Sequence, residues 1–199
     1  MSTVKNILIF FLELYPRIYN WFLFKYKNVT FSNYPKINGR LMITGKGRLI
    51  LGENVKINSS RRSNHIGEAS RTIFKIKNKN ATVQIGNNTG LSNATFVCRD
   101  SIVIGNYVKI GGGVKIYDSD AHSLNHLQRM DSSKDVSIMK KVILKNHCFI
   151  GAYSIILKGV TIGERSIVGA GSVVTKSIPD DEIWGGNPAK FIKKLNIGL

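Results

Sequence analysis

The segment 117–141 gathers polar side chains whose types suit proton transfer. Asp118, Asp120, His122 and His126 occur close together in it. Histidine exchanges a proton near neutral pH, so it is the usual general base in such chemistry. The segment therefore supplies two candidates for a general base, His122 and His126, and Asp120 is a candidate to orient the His122 imidazole or to contact a substrate. A turn-forming role for Asp120 is an equal alternative, and His126 is expected to be a solvated loop residue.

A six-residue repeat lies on both sides of this segment. Near the C-terminal end, aliphatic residues recur at every sixth position, namely Leu144, Ile150, Ile156, Ile162, Val168 and Val174. Four positions beyond each of the first five comes a small or β-branched residue, at Cys148, Ser154, Val160, Ser166 and Ser172. The pattern recurs upstream at Ile85, Leu91, Ile104 and Ile110.

A six-residue period fits neither the 3.6-residue period of an α-helix nor the alternation of a simple strand. It fits a coil of short strands and turns, in which each repeat forms one side of a prism and three repeats close a turn. The aliphatic residue then points inward, and the small residue permits close layers. The insertion 117–141 interrupts this solenoid, and a long insertion on a rigid scaffold often carries function.

The repeats resemble those of the hexapeptide-repeat acyltransferases, in the sugar O-acetyltransferase branch that includes maltose and galactoside acetyltransferases. The resemblance rests on Val142-Ile143-Leu144, on the run from Gly169 to Lys176, on Ile178-Pro179 and on Gly186-Asn187-Pro188-Ala189-Lys190. It covers residues 80–195 and barely covers residues 1–48. It implies an all-β, left-handed parallel β-helix with an inserted loop and a short N-terminal helical segment. The left-handedness comes from the resemblance alone.

The resemblance also implies a donor and a set of site residues. Acetyl coenzyme A would be the co-substrate in a direct transfer, with His122 as the base and no metal. The residues implied along the cofactor are Ala152, Ala170, Thr175 and Lys176 for the pantetheine arm, and Lys190 and Lys193 for the nucleotide phosphates. Solvated surface lysines are the alternative for the last two. Asn93 and Asp118 are expected to bind the acceptor, although an Asn at a solenoid corner also suits a left-handed backbone.

The function implied is O-acetylation of a sugar hydroxyl in a surface polysaccharide, such as capsule or lipopolysaccharide, or in its precursor. An amino-sugar N-acetyltransferase is the alternative. A zinc-dependent carbonic anhydrase of similar fold is less expected, because the histidine spacing that it would need is absent. Similar enzymes form homotrimers with sites between subunits, and we expect the same here.

The composition of the chain limits which partners and which compartment are expected. The 199 residues carry 29 Lys and Arg against 12 Asp and Glu, a net charge of +17, which favours anionic partners. No interleaved aromatic and basic platform indicates nucleic-acid binding. Two cysteines cannot form a disulfide framework for a chain of this length and suggest a reducing, cytoplasmic compartment.

The N-terminal segment, residues 1–30, is apolar and aromatic but too short in its apolar runs to span a membrane. We predict a helix broken near Pro16 that either contacts the inner membrane surface or packs on the core or another subunit. Residues 31–199 would form the β-helix domain, ending in a tail at residues 179–199.

Overall fold

The computed structural model describes residues 2–66 and 71–196, with side chains from Leu14 onward. The helices are α1 (Ser2–Tyr26) and α2 (His126–Arg129). The strands are β1 (Thr30–Phe31), β2 (Lys36–Gly39), β3 (Met42–Gly45), β4 (Arg48–Leu51), β5 (Lys56–Ser59), β6 (Ile73–Ile76), β7 (Thr82–Ile85), β8 (Gly90–Ser92), β9 (Thr95–Cys98), β10 (Ser101–Ile104), β11 (Lys109–Ile110), β12 (Lys115–Tyr117), β13 (Val142–Leu144), β14 (Phe149–Ile150), β15 (Ile155–Ile156), β16 (Thr161–Ile162), β17 (Ile167–Val168), β18 (Val173–Val174), β19 (Glu182–Gly186) and β20 (Ala189–Lys194).

In the described residues these strands form three sheets that make the sides of a prism. The first sheet has the order β1-β4-β7-β10-β13-β16, the second β2-β5-β8-β11-β14-β17-β19-β20, and the third β18-β15-β12-β9-β6-β3. All pairings are parallel except β19 with β20. Successive strands along the chain therefore pass from sheet to sheet, and the left-handed parallel β-helix implied by the resemblance is confirmed.

The repeat positions form the interior of the prism. In the first sheet Leu51, Ile85, Ile104, Leu144 and Ile162 are in register and buried, one above the other. The small repeat residues Cys148, Ser154, Ser166 and Ser172 are also fully buried, as predicted. In the third sheet the rings of Phe74 and Phe96 stack with centroids 4.9 Å apart. Burial of these rows supplies the main driving force for the fold.

Helix α1 closes the N-terminal end of the prism. Asn20 donates from Nδ2 to the Gly39 carbonyl at 2.8 Å and accepts from the Leu41 amide at 3.0 Å, while Phe24 is buried in the core. The predicted break at Pro16 is wrong, because the helix is continuous through it. A proline removes one backbone donor, and these tertiary contacts hold the half of the helix that follows. Within residues 2–66 and 71–196, no helix combines the length and hydropathy of a membrane span.

Two corners of the prism position the candidate site. The second corner joins the second sheet to the third, and the third corner joins the third sheet to the first. The inserted loop leaves the third corner after β12 and returns at β13, so it occupies residues 118–141. Tyr117, the first residue of the predicted insertion, is the last residue of β12.

Candidate active site

The inserted loop is fastened at its base by backbone pairing. Ser119 and Met139 form an isolated antiparallel bridge. The Lys140 amide donates to the Asp118 carbonyl at 2.8 Å, and the Asp120 amide donates to the Ile138 carbonyl at 3.3 Å. The two arms of the loop therefore leave the solenoid as a short ribbon. This ribbon holds the polar residues of the loop in one fixed region beside the third corner.

His122 forms a hydrogen-bonded pair with Asp135 of the returning arm. Its Nδ1 lies 2.5 Å from Oδ2 of Asp135, and Oδ1 of Asp135 accepts from the Ser123 amide at 2.6 Å. The hydrogen bond with His122 and the Ser123 amide hold the pKa of Asp135 below its usual value. An ionised Asp135 selects the tautomer in which Nδ1 carries the proton. The other ring nitrogen, Nε2, is then the basic one, on an imidazole that is 69% exposed.

Asp120 does not orient the imidazole, and the prediction of that role is wrong. Its Oδ1 lies 2.5 Å from Nζ of Lys158, in a pair whose side chains are 19% and 24% exposed. The opposite charge of Lys158, one coil further along the third corner, draws Asp120 toward the solenoid rather than toward His122. The pair ties the loop to the next coil. Oδ2 of Asp120 is buried and has no hydrogen-bond partner among the described residues, so a contact to the acceptor stays a prediction.

Asp118 is fully buried at the start of the loop. Its carboxylate accepts from the Arg99 amide at 2.8 Å and from the Asp100 amide at 2.7 Å, and the Cys98 thiol donates to it at 3.3 Å. Both oxygens are therefore occupied by the preceding coil. This burial disagrees with the predicted acceptor contact, and Asp118 instead holds the turn after β9 against the loop.

Arg99 was not found by sequence reasoning, yet it contacts both arms of the loop. Its Nη1 donates to Oγ of Ser137 at 2.8 Å and its Nη2 to the Ala121 carbonyl at 3.0 Å. Asp135 was also missed. Neither residue stands at a repeat position or at a recognisable spacing from His122, so only the folded loop identifies them.

The cofactor candidates Ala152 and Ala170 lie together at the second corner. They occupy equivalent positions in consecutive coils, and the Gly171 amide donates to the Ala152 carbonyl at 2.8 Å. A Cβ on Gly151 would lie against the backbone nitrogen of Ala170, so the coils can approach this closely only with glycine there. The result is a corner of small residues that leaves room for a narrow ligand chain.

Lys190 and Lys193 lie on β20 at the C-terminal end of the second sheet. Lys190 is opposite Gly185 and Lys193 is opposite Ile183, because the register shifts between Ile183 and Trp184. Residues opposite each other share a face, so this shift places both lysines on the same face of the sheet. Lys194, opposite Glu182, lies on the other face.

Thr175 and Lys176 lie apart from the alanines. They follow β18 at the third corner and are exposed, whereas Ala152 and Ala170 precede the third sheet at the second corner. Within one chain, the width of the third sheet separates the two pairs. The predicted cofactor residues are therefore not brought together by a single subunit.

Asn93 lies at the second corner between β8 and β9, with φ of 45°. It is 1% exposed, and neither its side-chain oxygen nor its nitrogen has a hydrogen-bond partner in the described residues. Buried amide groups are rarely left unpaired. The positive φ agrees with an Asn that adopts a left-handed backbone at a solenoid corner. The unpaired side-chain amide is still available to an acceptor, so that contact stays a proposal.

In the described residues, the cysteines and the remaining histidines form neither a nucleophilic thiol site nor a metal site. Burial raises the pKa of Cys148 to about 12 and also raises that of Cys98, with a further contribution from Asp118. A protonated thiol is a poor nucleophile. Within the part of the chain that the structure describes, no three His, Cys, Asp or Glu side chains are placed to hold a metal ion.

Comparisons with known proteins agree with the repeat. The family model described as bacterial transferase hexapeptide (six repeats) matches residues 135–176. A galactoside O-acetyltransferase of Lactococcus lactis is 38% identical over 104 residues, 52% of this chain and 48% of the relative. Protein CapG of Staphylococcus aureus is 39% identical over 129 residues, 63% of this chain and 73% of the relative. The chain spans about half the length of the galactoside O-acetyltransferases that it matches.

Two solved structures show the same fold. A hexapeptide-repeat acetyltransferase of Vibrio cholerae, complexed with acetyl coenzyme A, has 34% identity and a TM-score of 0.53, covering 57% of this chain and 61% of that one. A variant of AntD, an N-acyltransferase of Bacillus cereus in complex with dTDP-4-amino-4,6-dideoxyglucose and coenzyme A, has 25% identity and a TM-score of 0.65. It covers 84% of each chain.

Proposed function

This chain belongs to the hexapeptide-repeat acyltransferases, and from that premise we propose that it transfers an acetyl group from acetyl coenzyme A to a sugar hydroxyl. The acceptor would be a surface polysaccharide, such as capsule or lipopolysaccharide, or its precursor. Relatives described as galactoside O-acetyltransferases support the sugar acceptor. The Vibrio cholerae structure complexed with acetyl coenzyme A supports the donor.

The pair of His122 and Asp135 carries this proposal. With Nδ1 bound to Asp135, Nε2 of His122 takes the proton of the acceptor hydroxyl while that oxygen attacks the thioester carbonyl. The carbon–sulfur bond then breaks, and the imidazolium returns its proton to the thiolate of coenzyme A. Asp135 stabilises the imidazolium that forms in between. Both substrates are bound at once in this mechanism, because Cys98 and Cys148 are buried in the core and cannot reach an acetyl group to carry it.

Acceptor-dependent release of coenzyme A thiol across a panel of sugars and glycans tests the reaction. We expect release only with a subset of acceptors, and an acetyl ester on the product by mass spectrometry. Absence of acceptor-stimulated release from every sugar, oligosaccharide and lipid-linked sugar would overturn the proposal.

The separation of the site residues supports a homotrimer with shared sites. His122, Thr175 and Lys176 lie at the third corner, whereas Ala152 and Ala170 lie at the second. If the third corner of one subunit faces the second corner of the next, all of these residues line one groove. A closed cyclic assembly repeats that contact three times.

Mixing two inactive variants tests the shared site. His122→Ala removes the base at one corner, and Ala170→Trp fills the other. Oligomers re-formed from both variants together should regain activity, because some grooves then receive two intact faces. Oligomers of each variant alone provide the control. A wild-type monomer with full activity, or no recovery in mixed oligomers, would contradict the shared site.

N-acetylation of an amino sugar is the second candidate. The variant of AntD supports it, because that N-acyltransferase binds a 4-amino sugar nucleotide and matches 84% of this chain. Paired acceptors that differ only in a hydroxyl or an amine at one carbon separate the two reactions. Transfer to the amine member alone would favour this candidate over O-acetylation.

We also propose that α1 contacts an anionic membrane surface from the cytoplasmic side. Asn20 and Phe24 face the solenoid, but Trp21, Phe22 and Tyr26 are exposed, and Lys25 lies 4.9 Å from the centre of the Trp21 ring. Exposed aromatic and basic side chains on one helix suit a bilayer interface. Two free buried cysteines fit the reducing side of the membrane.

Sedimentation with vesicles tests this contact. Binding should be strong to phosphatidylglycerol vesicles, weak to phosphatidylcholine vesicles and lost in Trp21→Ser/Phe22→Ser. Binding that is equal for both vesicles and for both proteins would contradict it. Light scattering of the same variant measures its oligomeric state. A smaller oligomer than that of the wild type would show that the helix packs on a second copy of the chain instead of on a membrane.

A further inference from the structure

Two basic residues stand side by side at the third corner, immediately before the coil that carries the inserted loop. Lys77 follows β6 and Arg99 follows β9, and these strands pair in register through Ile76 and Cys98. The Lys77 amide donates to the Cys98 carbonyl at 2.8 Å. Adjacent coils are about 4.8 Å apart. The two side chains therefore leave neighbouring coils at the same corner, with Lys75 two positions earlier on β6.

No acidic side chain neutralises these cations in the described residues. Lys75, Lys77 and Arg99 form no ion pair there. Burial lowers the pKa of Lys77, and the charges of Arg99 and Lys75 lower it further. Positive charges held together at a partly buried position repel each other, which destabilises the free protein.

The acidic side chains of the inserted loop are engaged elsewhere, and Asp100, which follows Arg99, forms no ion pair with the cations within the described residues. Asp118 is occupied by the backbone amides after β9, Asp120 pairs with Lys158, and Asp135 pairs with His122. Each of these three carboxylates has a defined partner, which it would lose by turning to the cations. An uncompensated cationic cluster in this position has the character of a binding site for an external anion.

Arg99 places the cluster next to the proposed base. Its guanidinium donates to the carbonyl of Ala121, the residue that precedes His122, and to Ser137 of the returning arm. The cluster lies on the N-terminal side of the loop, whereas the predicted phosphate-binding lysines, Lys190 and Lys193, lie on the last strand at the C-terminal end. An anion bound at Lys77 is therefore distinct from the phosphates of the coenzyme.

We infer that Lys75, Lys77 and Arg99 form a subsite for the phosphate or diphosphate of the acceptor, so that the acceptor is a phosphorylated sugar rather than a free one. The inference rests on the proposed function for the identity of the sugar, but not for the binding of the anion. The same phosphate chemistry occurs in soluble sugar phosphates, in nucleotide sugars and in sugars linked to a lipid by a diphosphate. The lysines supply point charges for such a group, and the arginine holds the adjacent arms of the inserted loop in place.

Binding of inorganic pyrophosphate tests the subsite without activity. Calorimetric titration would use protein saturated with coenzyme A, so that the cofactor groove is already filled. We expect Lys77→Met to weaken pyrophosphate binding at least tenfold, roughly the value of one charge-assisted contact. Lys56→Met is the matched control, because it removes one exposed lysine from the second sheet, and it should bind as the wild type does. No binding to wild type, or equal weakening in both variants, would overturn the subsite.

Paired acceptors then test the substrate class. Transfer would be measured with glucose, galactose and their N-acetyl forms, each also as the 1-phosphate, the uridine diphosphate derivative and a polyprenyl diphosphate derivative in vesicles. A phosphorylated form should have the higher kcat/KM, and Lys77→Met should remove that preference mainly through KM. Equal use of free and phosphorylated sugars would overturn the inference while leaving acetyl transfer intact. Absence of transfer to all of them would overturn the proposed function, and the pyrophosphate titration would still decide the subsite.

Discussion

Nδ1 of His122 lies 2.5 Å from Oδ2 of Asp135, which comes thirteen residues later in the chain. The two residues stand on opposite arms of the inserted loop, and the ribbon at its base brings them together. The side chain of Asp135 is 15% exposed and that of His122 is 69% exposed. The carboxylate is therefore largely covered by the protein, while the imidazole is accessible to a substrate. This relationship makes Asp135 the positioning residue for the proposed base.

Replacement of Asp135 by Asn should lower kcat about ten- to a hundredfold, because an amide neither fixes the tautomer nor stabilises an imidazolium. Steady-state kinetics between pH 5 and 9 provide the measurement. Asp131→Asn is the control, because Asp131 pairs with Lys134 in the same loop and away from His122. A kcat equal to that of the wild type would remove Asp135 from this role.

The pair of Asp120 and Lys158 should stabilise the loop rather than take part in the chemistry. Asp120→Asn and Lys158→Met should each destabilise the protein by about 1–3 kcal/mol, because each leaves a partly buried charge unpaired. The double variant should recover part of that loss, as expected for two residues in direct contact. Urea unfolding of the four proteins gives the coupling energy. Fully additive losses of stability would show that the ion pair contributes nothing. Loss of turnover in Asp120→Asn but not in Lys158→Met would instead support a contact between Asp120 and the acceptor.

Lys190→Glu combined with Lys193→Glu should weaken binding of coenzyme A more than binding of dephospho-coenzyme A. Both lysines lie on the same face of β20 and are exposed, so each contact is worth about 1 kcal/mol or less and should weaken further in salt. Lys194→Glu, on the opposite face of the same strand, is the control for net charge. Calorimetric titration of both ligands checks this expectation. Equal losses for the two ligands would mean that these lysines do not read the 3′-phosphate.

Acid should weaken the C-terminal coils through Asp180 and Asp181. Side-chain bonds from Lys145 and Arg165, respectively, hold the pKa values of these carboxyls below the usual value. Their contribution to stability is present above the unfolded pKa, about 3.9, and is lost as the pH falls through the lower folded value. Asp180→Asn/Asp181→Asn should therefore melt below wild type at pH 7, with a difference that narrows below about pH 4. A difference independent of pH would exclude this linkage.

The solenoid was predictable because its rule is local. Every sixth residue must fill the same interior column, so Leu144, Ile150 and Ile156 reveal the coil without any knowledge of distant contacts. The site was predictable only in part. His122 follows from its residue type and place, but its partner Asp135 depends on how the loop turns back, which no period in the sequence encodes. The same reason led to the wrong role for Asp120, whose nearness in sequence was outweighed by the charge of Lys158 on the next coil.

The turnover of His122→Ala tests the proposed reaction most directly. With an acceptor identified from the panel, release of coenzyme A thiol would be measured for wild type and variant, together with the affinity of each for acetyl coenzyme A. Loss of the general base should lower kcat by about 10² to 10⁴ and leave that affinity nearly unchanged. A variant that keeps more than half of the wild-type turnover would contradict the role of His122 and, with it, the mechanism proposed for the inserted loop.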